Sequence, residues 1–134
     1  EPYRLEMGSK LEVGQASSLY KYWGSSLAKK LNEQAKVTKS SALVNCASQE
    51  YFNAVDLNAL ELNVVTPMFL ERKDGKVKMV SFFAKKARGM LARFAIKKRL
   101  TEPAQLTDFD YGGYIFSSEE SDNSKLVFTR PYPS

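Results

Sequence analysis

The sequence predicts a mixed α/β (α+β) fold: a mixed sheet of about five strands, two long amphipathic helices and a short helix. Three observations carry this. Five short apolar runs, rich in β-branched and aromatic residues, begin near Ala42, Leu62, Val77, Tyr114 and Leu126. Only two segments, from Ser17 and from Phe83, show a long helical period. No repeat and no long linker divides the 134 residues, a length that suits one domain or one half of a longer single-domain protein.

Glu1 to Ala16 lacks periodicity and reads as irregular. From Ser17 to Lys36 the apolar residues Leu19, Trp23, Leu27 and Leu31 recur every four positions, the stripe of a helix capped by Ser17 or Ser18. Gly24 inside that helix disfavours it relative to alanine and is expected to admit a neighbouring backbone. Ala42–Cys46 reads as a buried strand, and Ser48 as the cap of a short helix running to Val55. Leu62–Leu70 is a strand whose Pro67 places it at an edge or bulge. Lys73-Asp74-Gly75-Lys76 makes a hairpin turn, since Asp-Gly supplies two positive-φ positions, and Val77–Phe82 returns. A helix over Phe83–Leu100 follows, stopped before Pro103. Gly89 lies too deep in it to be a C-cap and suggests close packing. Leu106–Phe109 is a further helical turn, and Tyr114–Ser117 and Leu126–Arg130 are strands joined by the acidic loop Glu119–Ser124.

Charge is distributed unevenly. Glu1–Asp74 is balanced and Glu102–Ser134 is acidic, whereas Gly75–Thr101 holds 9 basic residues and no acidic one. At 100° per residue, Lys85, Arg88 and Arg99 form a stripe interrupted by Ala92, with Arg93 and Lys97 beside it and Ala87, Met90, Leu91 and Phe94 opposite. Local self-repulsion must then be offset by Glu119, Glu120 and Asp122 or by a bound anion. A solvated helix face and an anion-binding face are both compatible with charge alone.

Two strand-to-helix junctions, Val44-Asn45-Cys46-Ala47-Ser48 and Val80–Lys86, put small polar residues where helices present unpaired N–H groups. Plain capping is the favoured reading of Asn45, Ser48 and Ser81. The sequence has no histidine and one cysteine, which excludes a Ser-His-Asp triad, a histidine metal site and an internal disulfide. Cys46 therefore reads as a buried strand-end thiol rather than a nucleophile. No motif calls for a metal or cofactor, and no run is long enough to span a bilayer.

Several segments together resemble the YaaA family of bacterial peroxide-stress proteins. They are Pro2-Tyr3-Arg4-Leu5-Glu6-Met7-Gly8, Leu19-Tyr20 with Trp23-Gly24, Asn45–Ser48 with Glu50-Tyr51-Phe52, and Ser81–Gly89. Arg99-Leu100-Thr101 through Phe109, Gly113-Tyr114 and Leu126–Phe128 follow in order and spacing. The resemblance spans the whole chain and corresponds to the back half of the family's length; the front half carries an S-P-A-K-T signature and a helix-hairpin-helix element. It implies a larger fold peculiar to the family. It also implies a cytoplasmic bacterial protein that limits free intracellular iron under hydrogen peroxide and binds DNA through a basic cleft. No catalytic reaction is attached to that role. The family commonly carries an apolar residue where this sequence has Cys46, which argues against an essential thiol.

The first functional expectation is binding of double-stranded DNA, largely without sequence preference, by Lys85, Lys86, Arg88, Arg93, Lys97 and Arg99. No aromatic residue interleaves the stripe as single-strand stacking would need. The alternative is an enzyme or sensor that binds a small phosphorylated or anionic ligand through Arg4, Glu6, Asn45, Ser48, Ser81, Lys85 and Arg88. Neither reading involves a membrane. A half-length piece is also expected to expose apolar surface that the front half, or a second copy, would cover.

Overall fold

A computed structural model describes residues 10–13 and 16–133, with side chains from Gly24 onward. Two compact units emerge: residues 1–41 with 47–62, and residues 42–46 with 63–134.

In the first unit, β1 (Lys10–Val13) and β2 (Ala16–Ser18) form an antiparallel pair, so the segment read as irregular carries a short ladder. The helix α1 runs over Leu19–Thr38, two residues later at each end than expected. Its buried line is built from small residues, Gly24, Ala28 and Ala35, while Leu27 and Leu31 are half-buried. Leu19 and Trp23 have side chains outside the described set. The expectation for Gly24 holds: its carbonyl accepts the Asp56 N–H at 3.1 Å, and a Cβ there would stand 3.4 Å from the Ala54 carbonyl oxygen. Asn32 fastens the same return segment, donating to the Ala59 carbonyl and accepting from the Glu61 N–H, both at 2.8 Å. The short helix α2 is a single turn, Gln49–Phe52, rather than a helix reaching Val55.

The second unit holds a five-stranded mixed sheet in the order β3-β4-β7-β6, with β5 also on β4. Its strands are β3 (Ala42–Val44), β4 (Asn63–Lys73), β5 (Lys76–Lys78), β6 (Ile115–Phe116) and β7 (Lys125–Pro131). β4 lies parallel to both β3 and β7, and β6 runs antiparallel to β7. The Asp-Gly hairpin forms as expected, Asp74 and Gly75 both at positive φ (54° and 75°), with Lys73 opposite Lys76. Pro67 sits inside the sheet without disrupting a ladder. Thr66 N–H bonds the Ser124 carbonyl on the β7 side, so by alternation the Pro67 nitrogen faces the other edge. There β3 ends opposite Val65 and β5 ends opposite Glu71, leaving no ladder for Pro67 to break.

Alternate β4 residues Val65, Pro67, Phe69 and Glu71 point into the core. The Phe69 ring stacks on Phe128 (centroids 5.1 Å apart) and meets Phe109 and Tyr114 edge-on. Helix α3 closes this core with Ala84, Ala87 and Leu91, spaced to share one face. It spans Ser81–Lys97 rather than Phe83–Leu100, so Ser81 and Phe82 leave the return strand and open the helix. At its far end the Leu100 N–H bonds Ala95 O and the Arg99 N–H bonds Ile96 O, a Schellman closure. Arg99 occupies the left-handed position (φ 52°) normally given to glycine. Ile96, Ile115 and Phe82 are among the large apolar side chains this unit exposes.

Gly89 departs from expectation. It is exposed, and a Cβ there would meet nothing within 4 Å, so close packing does not explain it. Replacing a solvent-facing mid-helix glycine by alanine removes backbone entropy from the unfolded chain. Gly89→Ala is expected to stabilise the protein by about 1 kcal/mol in urea unfolding; a loss of stability would contradict the exposed placement.

Candidate nucleic-acid interface

The face of α3 turned from the core carries Lys85, Lys86, Arg93 and Lys97, all exposed, within an arc of about 120°. Gly89 lies in the middle of that arc, so the cations surround a stretch of bare backbone. Among the described residues none of these four has a carboxylate within 4.0 Å; the ion pairs are Lys36–Glu61, Arg72–Glu120 and Arg130–Glu71. Two of the three acids expected to offset the helix are engaged elsewhere. Glu120 pairs with Arg72 at 3.6 Å. Asp122 accepts from Ser124 N, Ser124 Oγ and Lys125 N, which hold its carboxyl below the usual range and order the acidic loop.

The stripe drawn from sequence through Lys85, Arg88 and Arg99 is displaced. Arg88 is half-buried at the side of the helix, near enough to Cys46 to act on its thiol electrostatically. Burial pushes that thiol up, and the Arg88 charge opposes the rise. A raised pKa keeps the sulfur protonated and poorly nucleophilic, although Cys46 is half-buried and lies two positions past the end of β3 rather than buried at the strand end. Arg99 stands beyond the helix end, where the chain reverses.

Arg93 and Lys97 also border a cleft of about 850 Å³ between α3 and the 3-10 turns Pro103–Asp108 and Tyr111–Gly113. Met90, Phe94 and Tyr111 line it too, as do Asp108 and Asp110, which bring negative charge to the same cleft.

The residues proposed from sequence for a small-anion pocket are scattered in role. Asn45 is buried, its N–H bonded to Val65 O at 2.8 Å. The Ser48 hydroxyl caps α2 by accepting the Tyr51 N–H. Ser81 is the first residue of α3, preceded by Val80 as N-cap, and is exposed. Arg4 and Glu6 lie outside the described residues.

One constellation escaped the sequence reading. Glu71, fully buried, accepts the Tyr114 hydroxyl at 2.5 Å and Arg130 Nε at 3.0 Å, both on Oε1. Burial and the Glu71 hydrogen bond together push the Tyr114 hydroxyl well above its ordinary value. The signal was present as strand alternation: from Val65 inward-facing positions recur every second residue, and Glu71 falls on that phase.

A cationic helix face with no ion pair among the described residues creates a positive potential at this surface. The family model described as "Peroxide stress protein YaaA" matches residues 1–120. A UPF0246 protein of Ruegeria pomeroyi is 54% identical over 132 residues, covering 98% of this chain and 52% of that protein. One of Roseobacter denitrificans is 57% identical over 136 residues, covering 100% and 52%. One of Dinoroseobacter shibae is 53% identical over 133 residues, covering 99% and 50%. The chain belongs to the YaaA peroxide-stress family, and it spans about half the length of the curated relatives it matches. Among the described residues no helix is long and apolar enough to cross a membrane.

Proposed function

We propose that this chain is the DNA-contacting part of a cytoplasmic peroxide-stress protein that helps limit free intracellular iron. Duplex DNA is gripped largely without sequence preference. The observation that carries the DNA reading is the exposed, unpaired set Lys85, Lys86, Arg93 and Lys97 around Gly89. Unneutralised cations on a rigid helix match a phosphate backbone, and phosphate contacts carry no base information. Arg88 and Arg99 join from the side and the end of the helix. The missing half of the family's length, or a second copy of the chain, covers the exposed apolar side chains Ile96 and Ile115.

Duplexes of unrelated sequence should bind with affinities within a few-fold of one another at fixed salt; a strong preference for one sequence would overturn the reading. The iron role rests on the family alone. Bacteria lacking the gene should show more chelatable iron after peroxide treatment than the parent strain, and equal iron in both would remove it.

The small-anion pocket at the two strand-to-helix junctions draws less support. The Ser48 hydroxyl is already engaged, and Ser81 faces solvent.

A further inference from the structure

The parallel strands β4 and β7 end side by side, with Glu71 directly opposite Arg130 in register. The β4–β5 hairpin then returns the chain to the start of α3, which brings Phe82, Phe83 and Lys86 to the same end of the sheet. The carboxyl ends of parallel strands are where open α/β sheets generally hold ligands. Here they border a cleft of about 280 Å³ lined by Phe82, Phe83, Lys86, Gly112, Tyr114 and Arg130, among others.

Arg130 is held on several sides. Its Nε donates to Glu71, its Nη1 donates to the Gly112 carbonyl at 2.9 Å, and its guanidinium lies over the rings of Tyr114 (4.4 Å) and Phe83 (4.9 Å). Its Nη2 has no hydrogen bond among the described residues, and the side chain is 16% exposed. A guanidinium fixed at two nitrogens with a third left over is preorganised for an oxyanion, and little ordering remains to be done on binding.

Stability is a poor reason for this arrangement. A buried ion pair is often no better than apolar residues of the same volume. Glu71 is also only half satisfied, its Oε2 buried without a hydrogen bond among the described residues. Around the cleft, Lys73 and Lys78 sit over the Tyr132 ring (5.1 and 5.8 Å), and that ring meets Phe83 at 6.3 Å. Phe82 is 72% exposed beside it, an unusual position for phenylalanine.

We propose that this cleft binds one nucleotide unit, its phosphate on Arg130 and Lys86 and its base against Phe82 and Phe83. A positive pocket with aromatic walls suits a phosphate joined to a flat ring, and the volume admits one such unit. The occupant is a free mononucleotide or the unpaired end of a DNA strand; both present the same chemistry. The site shares Lys86 with the outer face of α3, while Arg130, Phe82 and Phe83 belong to the cleft alone.

The test uses the full chain and two variants. Phe82→Ala removes an exposed ring at little risk to folding, and Arg130→Lys keeps a cation opposite Glu71 but loses the planar fork. Calorimetric titrations use adenosine 5′-monophosphate, and single-stranded DNA with and without a 5′-phosphate. Binding of the mononucleotide that both variants weaken about tenfold supports the proposal with a free nucleotide as occupant. Preference for the 5′-phosphorylated strand, lost in both variants, supports it with a strand end as occupant. If Phe82→Ala changes the binding of neither probe, or neither probe binds, the proposal is overturned.

Discussion

Glu71→Ala is expected to destabilise the protein by about 3–5 kcal/mol, because Arg130 would keep its charge in a largely buried site with no partner. The Tyr114 hydroxyl would lose its acceptor in the same step. That is a large share of the roughly 5–15 kcal/mol by which a domain is normally stable. The paired change Glu71→Met with Arg130→Leu separates the two contributions. Removing both charges removes the desolvation cost with the attraction, so the double variant should recover most of the loss. Urea unfolding of the two single variants and the double variant reads this directly. A double variant as unstable as the sum of the singles would show zero coupling between the two residues and so contradict the orphaned-charge account.

Phe69→Ala should cost a similar amount, about 3–5 kcal/mol, from the other side of the same core. Its ring is almost fully buried and touches Phe109, Tyr114 and Phe128, so truncation opens a cavity beneath α3. The exposed ring of Phe82 gives the internal comparison, with Phe82→Ala expected within about 0.5 kcal/mol of the parent. Urea midpoints that shifted equally for the two changes would contradict the assignment of Phe69 to the core centre.

Much of this architecture was legible in the residues. Asp74-Gly75 announced the hairpin because few other pairs tolerate two positive φ values, and the apolar runs announced the strands of the mixed sheet. The parallel pairing of β4 with β3 and β7 was not legible, since period-2 patterning does not say which strand lies beside which. The start of α3 was misplaced because Phe82 and Phe83 favour strands by propensity, while the tertiary context makes them helical. Its end was misplaced because arginine at the left-handed closing position gives no stop signal of the kind glycine gives. That displacement matters for function. Taking Arg99 off the helix and tucking Arg88 to its side leaves Lys85, Lys86, Arg93 and Lys97 as the outward face. The Glu71–Tyr114–Arg130 cluster joins residues 43 and 59 positions apart, a distance no local motif spans.

The salt dependence of duplex binding tests the central claim most directly. Lys85, Arg93 and Lys97 are exposed, make no ion pair among the described residues and lie outside the cleft at Arg130. If each neutralises one phosphate, the triple alanine variant should lose about 2.7 from the slope of log K against log salt, roughly 0.9 per residue. The loss should be the same on duplexes of unrelated sequence. A slope equal to that of the parent protein would contradict the assignment of α3 as the DNA-contacting face.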